Sequence, residues 1–550
     1  MRKILSILAV ATIGISSSSS VIACQYMDKN YTVPEINNDL YTTVFHQQNP
    51  TQGMLNDIQG GFFDEETQEW HVYFLQNSDG LFDKYGYNHG KGGSVWYHAT
   101  TKDWINWENH GPGVPKTIKN YNDQASGTFF EDVDNLFGLD PNYIKGQGKA
   151  RTKIAVTTNY NGKGNQDIMM FYSIDGGYTF DIVKDELILE NPNRGKNENF
   201  RDPYFFYDKE KELFVMYIAR GEFYDVYSSK TPTEGYKKVG SIDVRYPMLE
   251  CSNLFQMNVK DENGKATGEK KWVLIYGGNG NHGDGKDNLS GGTYYSTGTL
   301  DENDVFIPDS KESVKRLDFG PDYYAAKFMT KSVENTNIDS LITTGWMSNW
   351  AYTYQVPNDG RFGYMSLARN IELRENNNDY TMHTDFVDFW SENKSQGSVK
   401  TLSTSEGSFK TNEKILESNS LKGKSFKMNI SLKDLSNFKD TLKLTIGDDN
   451  YKIEAKLDFV KNKITVNRKL QDKLVRGNKE FTKNRVYSAD LSSLKTGEIE
   501  IYLDKTTLEF KFPDGSVYSM LKFPDNVSQE DIEVTSNSQI DMNFKYYQIG

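Results

Sequence analysis

A chain of 550 residues exceeds what one hydrophobic core usually organises, so two domains, or one large domain with a satellite, are expected. Its net charge of −13 and pI near 5.2 exclude a nucleic-acid partner, because such partners are held by clustered Lys and Arg that displace counterions. With 34 Tyr and 31 Phe, the composition favours extended strands and sugar-facing surfaces over helical bundles.

The N-terminus carries Arg2 and Lys3, an apolar run over 4–15 and five serines over 16–20. That is the layout of an export signal, and it is short for a membrane span. The run ends in Val21-Ile22-Ala23-Cys24, which resembles a bacterial lipobox. A lipoprotein-type signal peptide over 1–23, a lipidated Cys24 and a spacer over 24–40 are therefore expected; ordinary signal cleavage with Cys24 as a bystander is the alternative. The membrane is then a partner only through this N-terminal lipid anchor, and the mature chain is expected on the extracellular face of a bacterial cell membrane. Cys251 is the only other cysteine, so an acylated Cys24 leaves no intramolecular disulfide.

From about Asp57 onward, short apolar or alternating runs are closed by Gly, Asn and Asp. Strands are predicted over 70–75, 153–158, 167–172, 213–219 and 272–276. Helix-like pieces such as 132–137 are short. Beyond about 390 Trp disappears and Lys, Ser, Asp and Leu rise, while alternation persists over 426–432, 441–446 and 498–503. A large first domain over 41–385 and a C-terminal β-sandwich over 386–550 are expected. The fold class is all-β, for which propellers, sandwiches and barrels are the usual solutions. No sequence repeat of fixed period distinguishes among them.

Three carboxylates stand out by their surroundings. Asp57 lies in Met54-Leu55-Asn56-Asp57-Ile58-Gln59-Gly60-Gly61, Asp202 in Phe200-Arg201-Asp202-Pro203 and Glu250 in Leu249-Glu250-Cys251-Ser252-Asn253. Taken singly, each reads as a carboxylate satisfying turn amides or an arginine, since most of the 76 acids are solvated. Taken together and in order, they resemble glycoside hydrolase family 32, the family of invertases, levanases and inulinases. Its patterns are Trp-Met-Asn-Asp-Pro-Asn-Gly, Phe-Arg-Asp-Pro and Glu-Cys-Pro. Gln76 in Tyr73-Phe74-Leu75-Gln76, Trp96 with His98-Ala99, Ser126-Gly127, Asp322 in Gly320-Pro321-Asp322-Tyr323-Tyr324-Ala325 and Trp346 in Gly345-Trp346-Met347-Ser348-Asn349-Trp350 continue the match. In the C-terminal part, Tyr502 to Phe510 resembles the strand pair of the family's sandwich.

The resemblance implies a five-bladed β-propeller with a central funnel followed by a β-sandwich. It implies double displacement at the anomeric carbon of a fructosyl unit, with fructan or sucrose as the substrate partner. Asp57 would be the nucleophile, Glu250 the acid/base and Asp202 the transition-state stabiliser kept ionised by Arg201. Two carboxyls about 5 Å apart would place a raised pKa on the acid. Asn56, Gln76, Trp96, Ser126, Asp322 and Trp346 would orient and stack the sugar. No cofactor is implied. A metal has thin support, because the seven His are scattered without a His-x-x-x-His pair.

The chain departs from the pattern beside the nucleophile, where Met54-Leu55 and Ile58-Gln59 replace Trp-Met and Pro-Asn, and Ser252 replaces Pro after Glu-Cys. The changes beside Asp57 are read as an altered pocket wall that points toward exo-acting release of fructose from fructans. Plain invertase, fructosyltransferase, an arabinan-active relative and a non-catalytic fructan-binding lipoprotein are the other readings. Gly278-Asn279-Gly280-Asn281-His282-Gly283 matches a dinucleotide fingerprint but lacks the following helix, and reads as a loop. Ser173-Ile174-Asp175-Gly176-Gly177-Tyr178-Thr179-Phe180 reads as a hairpin-turn signature, and Cys251 as a buried small residue.

Overall fold

The computed structural model describes residues 41–550 apart from 51–52, 78–93, 115–122, 161–164, 197, 244–248, 279–290, 311–313, 377–378, 389–400, 417–424, 448–451, 469–474, 476–477, 524–531 and 550. The signal peptide, Cys24, the spacer and most of the glycine-rich loop at 278–283 lie outside the described residues. Among those described, regular structure is almost entirely strand, and no helix is long and apolar enough to cross a membrane. The helix-like 132–137 is instead a turn, in which the Asp132 carboxylate accepts from the backbone N–H groups of Leu136 and Phe137 at 2.7 and 2.9 Å. Those two bonds satisfy the carboxylate locally, so no helix is required.

Residues 53–386 form antiparallel sheets in chain order. Their innermost strands are Gly53–Asp64, Asp123–Asp132, Arg201–Asp208, Leu249–Lys260 and Tyr324–Met329. Each inner strand packs against the next, and Tyr324–Met329 returns to Gly53–Asp64. The last two sheets are joined edge to edge where Val259 and Lys260 pair in parallel with Leu373 and Arg374. The short strand Arg361–Phe362 pairs in parallel with Gly53 and Met54, tying the last sheet to the first.

The cores explain why these strands read as unbroken apolar runs. Along Leu213–Ala219, Val215 and Tyr217 pack with Leu254, Leu274 and Tyr276 of the following sheet, while Phe214, Met216 and Ile218 pack with Ile154, Val156 and Met170 of the preceding one. A strand buried on both faces has no polar side to alternate with. Further apolar clusters fill the remaining spaces between consecutive sheets, including that between the fifth and the first.

The C-terminal residues form two six-stranded sheets over one core. Here one face is wet, and alternation is plain: Phe426, Met428, Ile430 and Leu432 of Ser425–Leu432 point inward.

The junction between the two parts is polar and buried. Asp504 accepts from the backbone N–H groups of Val44, Phe45 and His46, and the His46 ring sits between Asp504 (3.1 Å) and Glu509 (2.9 Å). Arg369 reaches Glu509 at 2.6 Å and Asp318 at 2.8 Å. The 502–510 segment singled out in the sequence is thus the sandwich's grip on the propeller.

Candidate active site

Each inner strand is irregular close to its N-terminal end. Register shifts fall between Leu55 and Ile58, at Ala125 to Gly127, between Arg201 and Tyr204, between Glu250 and Asn253, and between Tyr324 and Lys327. A bulge leaves a residue unpaired and re-aims its side chain. At these five places the residues are Asp57, Ser126, Asp202, the Glu250-Cys251 pair and the Tyr324-Ala325 pair. Asp202, Cys251 and Ala325 hold φ of 55°, 50° and 45°, a left-handed conformation that costs roughly 1–2 kcal/mol for a residue with a Cβ. Gly127 follows Ser126 because a Cβ there would lie 1.9 Å from the Val156 carbonyl oxygen.

The bulges bring the three predicted acids together. Cys251 Sγ lies 3.9 Å from one oxygen of Asp57 and 3.9 Å from one oxygen of Asp202, so one sulfur separates the two carboxylates. Asp57 accepts from the Ser126 hydroxyl at 2.6 Å and from the Asn56 amide at 3.2 Å. Glu250 is gripped at both oxygens, by Arg201 Nη2 at 2.8 Å and by the Tyr324 hydroxyl at 2.5 Å. Arg201 also lies 3.7 Å from Asp202, which accepts from the Cys251 N–H at 3.3 Å and donates its own N–H to Thr158 at 2.7 Å. Lys327 is buried nearby, donating to the Ser252 carbonyl at 3.4 Å.

This crowding of negative charge has an electrostatic consequence. Burial, with the charge of Glu250 added, pushes Asp57 up to about 6 against the pull of Ser126 and Asn56. Burial pushes Asp202 up to about 7 in spite of Arg201, with Glu250 and Asp57 adding to the rise. Burial opposes charge on Arg201, but Glu250 and Asp202 more than offset it and raise its pKa. Asp57 and Asp202 therefore both hold their protons more tightly than free carboxyls do.

Several expected sugar contacts are placed elsewhere. Trp96 is wholly buried between the first two sheets and donates its indole N–H to the Ala125 carbonyl at 3.0 Å. Trp346 is equally buried, packed 4.7 Å from Trp350. A ring with no exposed face cannot stack on a sugar; both are backing for the wall. Gln76 is buried with its amide on Asn49 at 2.6 Å. Asp322 is at the domain junction, accepting from Arg468 at 2.8 Å, from the Leu521 N–H at 2.7 Å and from the Tyr352 hydroxyl. Its carboxylate is committed to the protein, so it is a structural residue.

The altered wall is also internal. Leu55, Ile58 and Gln59 are completely buried. Gln59 donates to the Asp57 carbonyl at 2.7 Å and accepts from the Gly127 N–H at 2.8 Å, lacing the first inner strand to the second. Tyr324 was missed as a site residue, although it stands inside a quoted segment, because nothing local marks a tyrosine as the partner of an acid 74 residues away. The 173–180 hairpin turn is structural: Asp175 caps Tyr178 and Thr179, and Tyr73 donates to the Gly177 carbonyl at 2.7 Å. Among the described residues no cluster of ligands suits a metal ion.

The model of the glycosyl hydrolases family 32 N-terminal domain matches residues 46–384, well over half of the chain. The chain belongs to glycoside hydrolase family 32. It is 27% identical over 346 residues to a levanbiose-producing levanase of Bacillus subtilis (strain 168), covering 62% of this chain and 60% of that protein. It is also 27% identical over 342 residues to an extracellular exo-inulinase of Meyerozyma guilliermondii, covering 60% of this chain and 59% of that one. The chain therefore spans about three fifths of these relatives' length. In structure it is similar to a fructofuranosidase from Schwanniomyces occidentalis complexed with fructosylnystose, with a TM-score of 0.75 at 20% identity over 94% of this chain and 100% of that one. An exo-inulinase from Aspergillus awamori superposes with a TM-score of 0.74 at 20% identity over 92% and 98%. The fold is accordingly the five-bladed propeller and β-sandwich of family 32.

Proposed function

We propose that the protein is a retaining β-fructofuranosidase that releases terminal fructose from fructans and sucrose. The observation that carries the proposal is the meeting of Asp57, Asp202 and Glu250 from three inner strands around Arg201 and Cys251. The names of its relatives, levanase and exo-inulinase, support the substrate class. Asp57, oriented by Asn56 and Ser126, attacks the anomeric carbon as the bond to the leaving oxygen breaks, and Glu250 gives that oxygen its proton. Glu250 then takes a proton from water, which attacks the same carbon and frees Asp57. Asp202, beside Arg201, holds ring hydroxyls as positive charge develops on the sugar. Early-time NMR of the products of sucrose, inulin and levan tests this: retained configuration and free fructose are expected. Inversion would remove Asp57 as nucleophile, and initial release of disaccharide would overturn exo action.

The extracellular exo-inulinase relative supports export, and the Val21-Ile22-Ala23-Cys24 run is what supports lipid on Cys24 as the tether. Cys24→Ser should then shift activity from the membrane fraction to the medium; equal partition of the two proteins would dismiss the anchor.

A further inference from the structure

Arg468 belongs to the sandwich, follows the strand Lys463–Asn467, and is almost completely buried against the propeller. Its guanidinium donates through all three nitrogens. Nε donates to the Phe481 carbonyl at 2.6 Å, Nη1 to Asp322 at 2.8 Å and to the Leu521 carbonyl at 2.5 Å, and Nη2 to the Tyr352 hydroxyl at 2.7 Å. The Phe481 ring lies 3.6 Å from its centre. Both propeller partners are short, rigid steps from the site. Asp322 is two residues before Tyr324, whose hydroxyl sits 2.5 Å from Glu250, and the left-handed Ala325 fixes the chain immediately afterward. Tyr352 lies on the segment that follows Trp346 and Trp350, and Asn478 of the sandwich holds the same segment at the Ala351 carbonyl (2.9 Å) and the Gln355 amide (3.0 Å).

We propose that Arg468 is a positioning residue of the propeller's active site, holding through Asp322 the chain that presents Tyr324 to Glu250. A planar fork with fixed donors is suited to this, since it ties two propeller segments and two sandwich carbonyls at defined angles. The sandwich is then a working part of the site, although the family model ends at residue 384. The inference rests on the reading of Glu250 as the acid.

The test compares sucrose with β-fructofuranosyl fluoride, whose leaving group departs without a proton, in the full chain. kcat/KM reports the first bond cleavage, so a displaced acid harms sucrose and spares the fluoride. Arg468→Met should lower kcat/KM on sucrose on the order of 100-fold, as an ångström-scale misplacement does, and on the fluoride by less than about threefold. Asp322→Asn, which keeps volume and removes one charge of the pair, should show the same selectivity at smaller size and serves if Arg468→Met does not fold. Equal losses on both substrates in folded protein, or no loss, would overturn the proposal. Glu250→Gln is the reference: if it does not itself spare the fluoride, the acid assignment fails, whereas selectivity in Glu250→Gln without it in the other two variants condemns only the role of Arg468.

Discussion

Asp57 and Asp202 at the propeller axis and Asp504 and Glu509 at the junction are all largely withdrawn from water, yet their proton affinities move in opposite directions. Burial raises the first pair to about 6 and about 7. Burial also acts on Asp504, but bonds and charge from His46 and the backbone N–H groups of Phe45 and Val44 outweigh it and bring Asp504 down to about 2. Glu509 likewise falls to about 2 against burial, through Arg369, His46 and the Leu367 N–H. Desolvation is common to the two places; the supply of donors and cations differs. At the junction each carboxylate has its partners and the group is a fastener. At the axis Arg201 is shared between Glu250 and Asp202, and Asp57 has only neutral donors among its recorded hydrogen-bond partners. Under-compensated charge costs stability and leaves carboxylates available to a substrate.

The sharpest way to break this comparison is Asp57→Asn. Loss of the proposed nucleophile should cut fructose release by about 10⁴-fold or more. The same change should stabilise the fold. An acid with a raised folded pKa contributes stability below its unfolded value, near 4, and loses it as pH rises through about 6. Removing the charge should therefore raise Tm on the order of 2 °C at pH 8 and leave it unchanged below pH 4. Calorimetry of both proteins across that range decides the matter; a Tm that falls at pH 8 would mean that the Asp57 charge is well compensated.

At the junction the equivalent change should have the opposite sign. Glu509→Gln leaves Arg369 and His46 short of a buried counter-charge, and should cost about 3–5 kcal/mol of stability while folded enzyme retains its rate at low temperature. Denaturant titration alongside kcat measurement checks it. A loss below about 1 kcal/mol would show that Asp318 and Asp504 suffice.

Both regions together separate the pH of greatest stability from that of greatest activity. Asp504 and Glu509 contribute stability above their unfolded values, near 4, and lose it as pH falls toward 2. The His46 pKa is raised, its two acid partners overcoming burial, so its contribution holds below 6.5 and is lost as pH rises past its folded value. Asp57 and Asp202 lose theirs through about 6 to 7. Tm should thus peak near pH 5. Attack requires ionised Asp57, so kcat/KM should fall as pH drops through about 6. Coincident optima would contradict the contrast.

The three acids were legible because each stands in a short segment with its own marked neighbours, and the strands because both-face burial writes continuous apolar runs. Strand Leu213–Ala219 was placed to the residue. The side chains around the acids were less legible. Which way Trp96 or Trp346 points depends on register, and neighbouring inner strands shift register at bulges built on non-glycine residues such as Asp202, Cys251 and Ala325, which carry no turn signature. Asp322 looked like a sugar ligand because its partner Arg468 is 146 residues away, across a domain boundary. No local pattern contains that distance.

Gln59 offers the smallest effect and tests where the site ends. In the family pattern this position is Asn, and a longer amide here invited the idea of a wall remade for fructans. In the fold the side chain is fully buried, and its two hydrogen bonds join the Asp57 carbonyl to the Gly127 N–H. Its extra methylene is therefore explained by the span between two inner strands, with substrate playing no part. Gln59→Asn should lose at least one of those bonds, at about 1 kcal/mol of stability, and slow all substrates alike by a slight displacement of Asp57. The ratio of kcat/KM for levan to that for sucrose should stay within about twofold, because specificity changes only through contacts that differ between the two transition states. A ratio altered more than about tenfold, roughly 1.4 kcal/mol, would show that position 59 reaches the leaving group after all, and would restore the sequence argument that the segment around Asp57 selects the substrate.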